Sequence, residues 1–314
     1  MPAQSKKIGD GSYFSVPLFF FFIFLLCGCQ QPQLHRQTQV LMGTFVEVIS
    51  PDQRAADIVF SEIRRIEGML SKYRPESEVS RLNKNGWVKA SPEMFFILEK
   101  SRGFWELSGG AFDITVGPLM DLWGFTDKKF RQPSDAEIQK TLELIGTNKI
   151  ILNKTDYVVK FMLSGMKIDL GAIAKGFAVD CAIKKLKDAG IASCLINAGG
   201  QIYGLGEKSG KPWKVAIKSP RGKGFAGSLE LKDQAVSTSG DYEQYFEKDK
   251  RRFSHIMNPA TGYPEDSRII SATVVAGDGL TADALATSIV VMGKDKGLAL
   301  GKKFPGAEIK LIEK

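Results

Sequence analysis

Histidine and cysteine are scarce in this chain of 314 residues, which contains two His and four Cys. A histidine-rich metal site is therefore excluded, and no Cys or His spacing fits a zinc site. Two of the cysteines lie near the N-terminus, which leaves Cys181 and Cys194 for the rest of the chain. One disulfide between them is possible, but both have small apolar neighbours, so two buried free thiols are at least an equal alternative.

Long apolar runs are also scarce, since only one is present and it ends before residue 30. A polytopic membrane protein is thereby excluded. With 43% hydrophobic residues, 32 Gly and 13 Pro, the chain is neither disordered nor collagen-like. The net charge of +8 is modest and diffuse. It suits anionic ligands or an anionic surface, and we expect no nucleic-acid partner.

The N-terminal apolar run has the features of an export signal. Two lysines precede apolar residues 19–26, which are too few to span a membrane comfortably. The run ends in Leu26-Cys27-Gly28-Cys29, which resembles a bacterial lipobox and makes Cys29 the candidate for lipidation. An ordinary secretory signal or an uncleaved anchor is the alternative. We therefore expect three segments: a signal peptide at 1–28, a polar tether at 29–38 and a folded domain at 39–314.

Periodicity in the folded domain predicts helices and strands in a mixed order. Helices are expected over five segments: 53–73, 91–110, 134–146, 172–189 and 280–292. Strands are expected over nine segments: 40–49, 149–152, 157–161, 166–170, 194–197, 213–217, 228–231, 269–275 and 308–312. Because strands and helices do not alternate strictly, we predict an α+β fold with helices packed on mixed or antiparallel sheets.

Familiar nucleotide-binding motifs are missing. Gly204-Leu205-Gly206 is followed within a few residues by Pro212 rather than by a helix, so it is not a dinucleotide fingerprint. Gly171 and Gly176 have the spacing of a phosphate loop, but Phe177 occupies the position of the required Lys.

The segment Asp169–Asp180 is the first candidate site. We interpret it as a strand that delivers Asp169, two small residues, and a helix start that carries Lys175. Free N–H groups and a nearby cation suit a phosphate or a carbonyl-bound metal ion. Tight strand-to-helix packing with solvated charges explains the same pattern equally well.

Asp283 and Thr287 form a second candidate, because residues four apart share one face of a helix. Their oxygens suit Mg²⁺, although Asp283 could equally stabilise the first turn of its helix. His255 is a third candidate, either for proton transfer or for a structural role. The hydroxyl-rich segment Ser237–Glu243 could bind phosphate or form a hairpin turn.

Taken in order, these segments resemble the FAD:protein FMN transferases of the ApbE family. The resemblance covers the folded domain and rests on the following pieces: Met42-Gly43-Thr44, Ser71-Lys72-Tyr73, Gly110–Asp113, Asp169–Asp180, Asn197–Gly200, Ser237–Glu243, His255–Gly262 and Asp283–Thr287. The chain departs from the common pattern at Ala172, where many members have Gly, and at Phe177, where Tyr is common.

The resemblance implies a Mg²⁺-dependent enzyme that cleaves FAD and joins FMN to a Thr or Ser hydroxyl of an acceptor protein, releasing AMP. It assigns FAD binding to Met42, Tyr73, Ala111, Phe112, Asp113, Asp169, Lys175 and Ile256. It assigns metal binding to the main-chain oxygen of Ala172 and to Asp283 and Thr287. Asp283 and His255 are the expected catalytic residues, with His255 beside the reacting phosphates.

The family resemblance and the lipobox together imply the partners and the location. The partners would be FAD, membrane lipid through Cys29, and exported flavin acceptors such as subunits of membrane redox complexes. The protein would be anchored to a bacterial membrane, on the periplasmic face of the inner membrane. Two alternatives remain open: a FAD pyrophosphatase that uses water as acceptor, and a flavin-binding lipoprotein without catalysis.

Overall fold

Helices and strands alternate irregularly along the computed structural model, which describes residues 1–5 and 33–314. Residues 6–28 of the expected signal peptide, Cys29 and the first residues of the expected tether lie outside the described residues. The strands are β1 (His35–Leu41), β2 (Thr44–Ser50), β3 (Trp87–Lys89), β4 (Ile150–Asn153), β5 (Val158–Phe161), β6 (Cys194–Ala198), β7 (Gln201–Leu205), β8 (Trp213–Lys218), β9 (Phe225–Leu231), β10 (Gln234–Gly240), β11 (Tyr245–Lys248), β12 (Arg251–Ser254), β13 (Ile269–Ala276) and β14 (Glu308–Glu313). The helices are α1 (Ala55–Leu70), α2 (Glu78–Asn85), α3 (Pro92–Leu107), α4 (Gly117–Leu122), α5 (Asp135–Leu142), α6 (Ala174–Asp188), α7 (Gly279–Met292) and α8 (Lys294–Gly301).

A seven-stranded sheet in the order β1-β2-β6-β7-β10-β13-β14 is the centre of the fold. Every neighbouring pair in it is antiparallel. Both faces of β13 are covered: Val274 packs in the main core with the helices, whereas Val275 packs in a second core with β8 and β9. This alternation follows from the two-residue period of a strand and explains why every residue of β13 is buried.

The main core lies between this sheet and helices α1, α6 and α7. Helix α1 buries Val59, Ile63, Ile66 and Leu70 at helical spacing. The expected caps are present, since Ser91 accepts from Met94 N and the Ser134–Glu137 capping box forms.

A third apolar cluster joins α4 and α5 to the hairpin of β11 and β12. At its centre the indole N–H of Trp123, which is fully buried, donates to the oxygen of Gly262 at 2.9 Å. This contact fixes the segment after β12, which carries His255 and Ile256, against the body of the domain.

The predicted α+β fold with antiparallel sheets is confirmed. Three of the expected segments differ from the structure. The expected strand 40–49 is a hairpin, because Met42 and Gly43 both have positive φ and form a tight turn. The expected tether is too long, because β1 already begins at His35. The polar residues of β1 pair with β2 at an exposed edge of the sheet.

The third error concerns 166–170, which is not a strand. Its polar backbone groups bond instead to Asn83, which pairs with both N–H and C=O of Ile168, and to the oxygen of Ile114, which accepts from Asp169 N. Helices α2, α4 and α8 were not predicted.

Both cysteines of the folded domain are free thiols, and burial raises the pKa of Cys181 and of Cys194 to about 12. In residues 1–5 and 33–314, no helix has the length and apolar character needed to cross a membrane.

Candidate active site

One cavity of about 550 Å³ gathers every residue to which the sequence analysis assigned a role in FAD binding, metal binding or catalysis. These residues are Met42, Tyr73, Ala111, Phe112, Asp113, Asp169, Ala172, Lys175, His255, Ile256, Asp283 and Thr287. They come from the β1–β2 turn, from α6 and α7, and from the loops between. Distant segments of the chain therefore converge on one space that is large enough for a cofactor-sized ligand.

The crossing of α6 and α7 positions Asp283. A Cβ on Gly176 would lie 2.1 Å from the oxygen of Gly279, so only glycine permits this close approach. The approach lets Gly176 N donate to Asp283 Oδ2 at 3.1 Å, and Ser237 Oγ donates to Oδ1 at 3.3 Å. Asp278, not Asp283, caps α7 by accepting from Thr281 N. The helix-stabilising alternative for Asp283 therefore fails, and its 3% exposed carboxylate faces the cavity.

Thr287 lies one turn further along α7, as the spacing predicted. Its hydroxyl is 3.0 Å from Ser239 Oγ of β10. The segment Ser237–Glu243 was expected either to bind phosphate or to form a hairpin turn. Its first part belongs to the buried strand β10, and Ser237 and Ser239 of this strand line the cavity. Ala172 lines the same cavity.

Lys175 places a positive charge close to Asp283 in this cavity. Its ammonium donates to the oxygen of Gly171 at 3.1 Å. Asp283 is the main cause that raises the pKa of Lys175, and Glu243 and Asp169 act in the same direction against desolvation. Lys175 is therefore charged across the physiological range.

Asp169 is held by a cation that the sequence analysis did not assign. Lys72 Nζ donates to Asp169 Oδ2 at 2.7 Å and lies 5.1 Å from the centre of the Tyr73 ring. Burial alone would raise the pKa of Asp169, but the charge and hydrogen bond of Lys72 outweigh it and lower the pKa. An irregular segment, not a strand, delivers Asp169, and Gly171 N donates to its second oxygen at 2.8 Å.

Asp113 lines the cavity, but its carboxylate is already engaged. Oδ1 accepts from Thr115 N, Thr115 Oγ1 and Thr147 Oγ1 at 2.8, 2.6 and 2.8 Å, and Oδ2 accepts from Thr147 N at 3.1 Å. Phe112 is 2% exposed and packs on Phe104. The side chains of Phe112 and Asp113 therefore contact other groups of the protein, whereas Tyr73 is 65% exposed.

Met42 reaches the cavity from a strained position. It has φ of 51°, a left-handed conformation that a Met side chain rarely adopts. The two-residue turn between β1 and β2 imposes this value, since such turns require positive φ at both central residues.

His255 and Ile256 follow β12 directly. Burial is the main cause that lowers the pKa of His255 to about 4, and Lys175 adds to it. The ring Nδ1 lies 3.2 Å from the oxygen of Gln244. A neutral imidazole in this position donates from Nδ1 and keeps Nε2 as a proton acceptor.

Two further cavity residues received no individual role from the sequence. Gln201 is 1% exposed, its Nε2 donates to Gly279 O at 3.3 Å, and its Oε1 has no partner in the described chain. Desolvation raises the pKa of Glu243 to about 7, although Lys175 acts in the opposite sense. The Gly-Gly pair before Gln201 is the one sequence signal that could have pointed to it.

Among the described residues, three metal-ligating side chains cluster only at Glu62, Glu93 and Cys181, outside this cavity. Arg65 forms ion pairs at 2.7 Å with both of these carboxylates. The cluster is therefore a neutralised network and not a competing cation site.

The sequence model of the ApbE family matches residues 42–310. The chain belongs to the ApbE family. A FAD:protein FMN transferase of Klebsiella pneumoniae is 34% identical over 274 residues, which are 85% of each chain. One from Vibrio cholerae is 32% identical and covers 89% of this chain and 88% of its own.

Solved structures of the family agree with the fold. The ApbE protein of Thermotoga maritima superposes with a TM-score of 0.83 at 35% identity, over 90% of this chain and 94% of its own. The flavin transferase ApbE of Vibrio cholerae gives 0.80 at 29% identity and the same coverage. The resemblance inferred from the ordered motifs is confirmed, and this ApbE protein is an enzyme of the flavin transferase class.

Proposed function

We propose that this ApbE protein transfers FMN from FAD to a Thr or Ser hydroxyl of an exported acceptor protein, in a Mg²⁺-dependent reaction that releases AMP. The observation that carries the proposal is the convergence of the twelve assigned residues on one cavity. In this reaction the acceptor oxygen forms a new bond to the phosphorus of the FMN half. The bond from that phosphorus to the bridging oxygen breaks, and AMP leaves.

Positioning and electrostatics dominate the catalysis of such transfers. Lys175 is the charged group that would face the pyrophosphate, beside the first turn of α6. His255 is uncharged at neutral pH because burial and Lys175 keep its pKa near 4. Its free nitrogen would accept the proton of the attacking hydroxyl.

The ligands assigned from the family resemblance fit a magnesium ion. They are a carboxylate, a hydroxyl and a main-chain oxygen, which are the ligand types that Mg²⁺ prefers. Each oxygen of Asp283 receives one long hydrogen bond from Gly176 or Ser237, so both keep acceptor capacity. When bound by Asp283, Thr287 and Ala172, the ion would neutralise charge on the pyrophosphate oxygens.

Other residues of the cavity would supply the remaining contacts with FAD. The exposed ring of Tyr73 suits stacking on the flat flavin ring, with Met42 and Ile256 adding apolar contacts. Asp169 and main-chain groups of 111–113 would orient polar edges of the ligand.

The decisive experiment incubates the purified full chain with FAD, Mg²⁺ and an exported acceptor protein. Covalent FMN is followed by in-gel fluorescence and mass, and AMP and free FMN by chromatography. A transferase yields protein-bound FMN in step with AMP, whereas a pyrophosphatase yields free FMN. Asp283→Asn is the matched control, since it keeps the shape of the side chain and removes its charge. Production of neither AMP nor bound FMN by the wild type would refute both activities.

We also propose that Cys29 anchors the protein to a bacterial membrane, with the domain facing the periplasm. Cys29→Ser should shift the protein from the membrane fraction to the soluble fraction without changing the rate of FMN transfer. Fractionation with immunodetection measures the first effect. Persistent membrane association would favour an uncleaved anchor.

A further inference from the structure

Strands β8 and β9 form a two-stranded ribbon that packs on one face of the seven-stranded sheet. The inner side of the ribbon is buried in the second core, with Trp213 and Leu229 among its residues. The outer side is exposed and carries Lys214 and Lys218. Successive residues of a strand point to opposite faces, so the outer side of the ribbon is available to a partner.

The ribbon and the loops at its ends are strongly basic. Residues 207–231 contain six basic and two acidic residues. The six basic side chains are all exposed, and they are Lys208, Lys211, Lys214, Lys218, Arg221 and Lys223. Arg221 pairs with Asp241, whereas none of the five lysines forms an ion pair with any described residue. Of the acidic residues, Glu207 is already paired with Lys232. The ribbon therefore attracts a partner that presents many negative charges.

An exposed aromatic side chain lies where the two strands of the ribbon are joined. Phe225 begins β9 and is 75% exposed, the largest fraction among the large hydrophobic side chains of residues 33–314. It is opposite Lys218 in the register of the ribbon and follows Lys223 by two residues. Basic residues beside an exposed aromatic ring are typical of a surface that lies on a bilayer, where the ring enters the headgroup region.

The N-terminal end of the folded domain is on the same side of the sheet as the ribbon. Leu34, directly before β1, packs in the second core together with the inner side of the ribbon. Cys29, the expected lipidation site, precedes Leu34 by five residues, and five residues of extended chain span at most about 18 Å. A lipid on Cys29 would therefore bring a bilayer close to this face of the domain.

The other side of the seven-stranded sheet provides a contrast. There the three-stranded sheet of β3, β5 and β4 exposes Trp87, Lys89 and Lys160. Its buried residues Val88 and Val159 pack in the main core, on the helix side of the seven-stranded sheet. Both sides thus expose an aromatic ring with lysines, but the chain leaves the domain on the ribbon side. The position of the chain exit is what favours the ribbon as the face that meets a membrane.

We propose that the outer side of the β8–β9 ribbon lies on an anionic bilayer, with its lysines at the lipid headgroups and Phe225 inserted between them. Each lysine near such a surface adds attraction, and a basic patch is a common second signal beside a lipid anchor. This inference rests on the anchoring proposed for Cys29 and is independent of the proposed catalysis. The bilayer would fix the orientation of the domain as well as its location.

Quenching by nitroxide-labelled lipids tests this orientation on the lipidated protein. The chain is purified from membranes and reconstituted into phosphatidylcholine vesicles with or without about 30% phosphatidylglycerol. A fluorescent label is attached at Phe225→Cys or, as the matched control, at Trp87→Cys, and the unsubstituted protein gives the background from Cys181 and Cys194. With phosphatidylglycerol present, we expect about threefold stronger quenching of the label at position 225 than at position 87. Equal quenching at both positions, or quenching at 225 that is independent of phosphatidylglycerol, would overturn the proposal.

Charge variants locate the contact. Lys214→Gln combined with Lys223→Gln removes two unpaired charges from the ribbon and should reduce quenching at position 225 about threefold. Lys89→Gln combined with Lys160→Gln is the matched control, because it removes the same charge from the opposite side and should leave that quenching unchanged. An equal reduction in the two pairs would show a general effect of net charge and overturn the proposal.

Flotation of the vesicles and FMN transfer on the same samples separate this inference from the proposed function. A protein that does not float with the vesicles refutes the Cys29 anchor and the docked ribbon together. Flotation without preferential quenching at position 225 refutes the docked ribbon alone. A wild type that never transfers FMN refutes the proposed catalysis, and the quenching pattern still decides the orientation.

Discussion

Asp113 and Asp283 are buried carboxylates on the wall of the same cavity, 8% and 3% exposed, but their surroundings differ. Asp113 accepts four hydrogen bonds, all from Thr115 and Thr147, at 2.6 to 3.1 Å. Asp283 accepts two, at 3.1 and 3.3 Å. Asp113 therefore stabilises the fold, whereas the carboxylate oxygens of Asp283 can still accept hydrogen bonds from a ligand or bind a cation. Burial and position on a cavity wall do not distinguish these roles, but the count of donors does.

The largest expected effect is that of Asp283→Ala on activity. Removing the one carboxylate of the proposed metal site should abolish FMN transfer at ordinary Mg²⁺ concentrations. The free energy of unfolding without metal should change little, because Asp283 makes only two long hydrogen bonds. Transfer rate against Mg²⁺ concentration, together with urea denaturation, measures both. Normal transfer with an unshifted Mg²⁺ midpoint would place the metal elsewhere.

Asp113→Ala should show the opposite pattern. Four donors would lose their acceptor, so the free energy of unfolding should fall by about 3 kcal/mol. Folded molecules should keep much of their FAD affinity, since the carboxylate is engaged by four donors of the protein itself. Urea denaturation and FAD titration on the same sample test this. A large loss of FAD affinity at undiminished stability would show that Asp113 serves the ligand instead.

Thr287→Val should have a smaller effect than Asp283→Ala, because it removes one neutral oxygen at nearly constant volume. Transfer should fall in part and recover as Mg²⁺ is raised, since mass action offsets a weakened site. The experiment is a Mg²⁺ titration of the transfer rate. A deficit that no Mg²⁺ concentration relieves would assign Thr287 to the substrate or to the fold.

Met42→Asn should give the smallest effect and extends the comparison to the backbone. Asn tolerates the left-handed conformation, so the protein should gain about 0.5–1 kcal/mol of stability. The lost apolar contact should weaken FAD binding roughly fivefold. Thermal melting and FAD titration provide the readouts. Lower stability together with unchanged FAD affinity would mean that Met42 serves the hairpin and not the ligand.

Sequence patterns predicted correctly those features that depend on residues close together along the chain. Capping residues located the start of α3 and α5, and the spacing of Asp283 and Thr287 placed both on one face of α7. The ordered motifs identified the family, and the twelve residues assigned from them all line one cavity. Lys72 and Gln201 were missed because their contacts are with Asp169 and Gly279, which are distant in sequence.

The sequence by itself determined which residue types line the cavity and which helices carry them, because caps, periodicity and motif order depend on neighbours along the chain. Only the tertiary structure decided how those residues are used. Thr147 reaches Asp113 from 34 positions away, and Gly176 reaches Asp283 from 107 positions away. Such contacts depend on the order of strands in the sheet and on the close approach of Gly176 to Gly279. Hydrophobic periodicity specifies neither, because it fixes which face of an element is buried but not which element it is buried against.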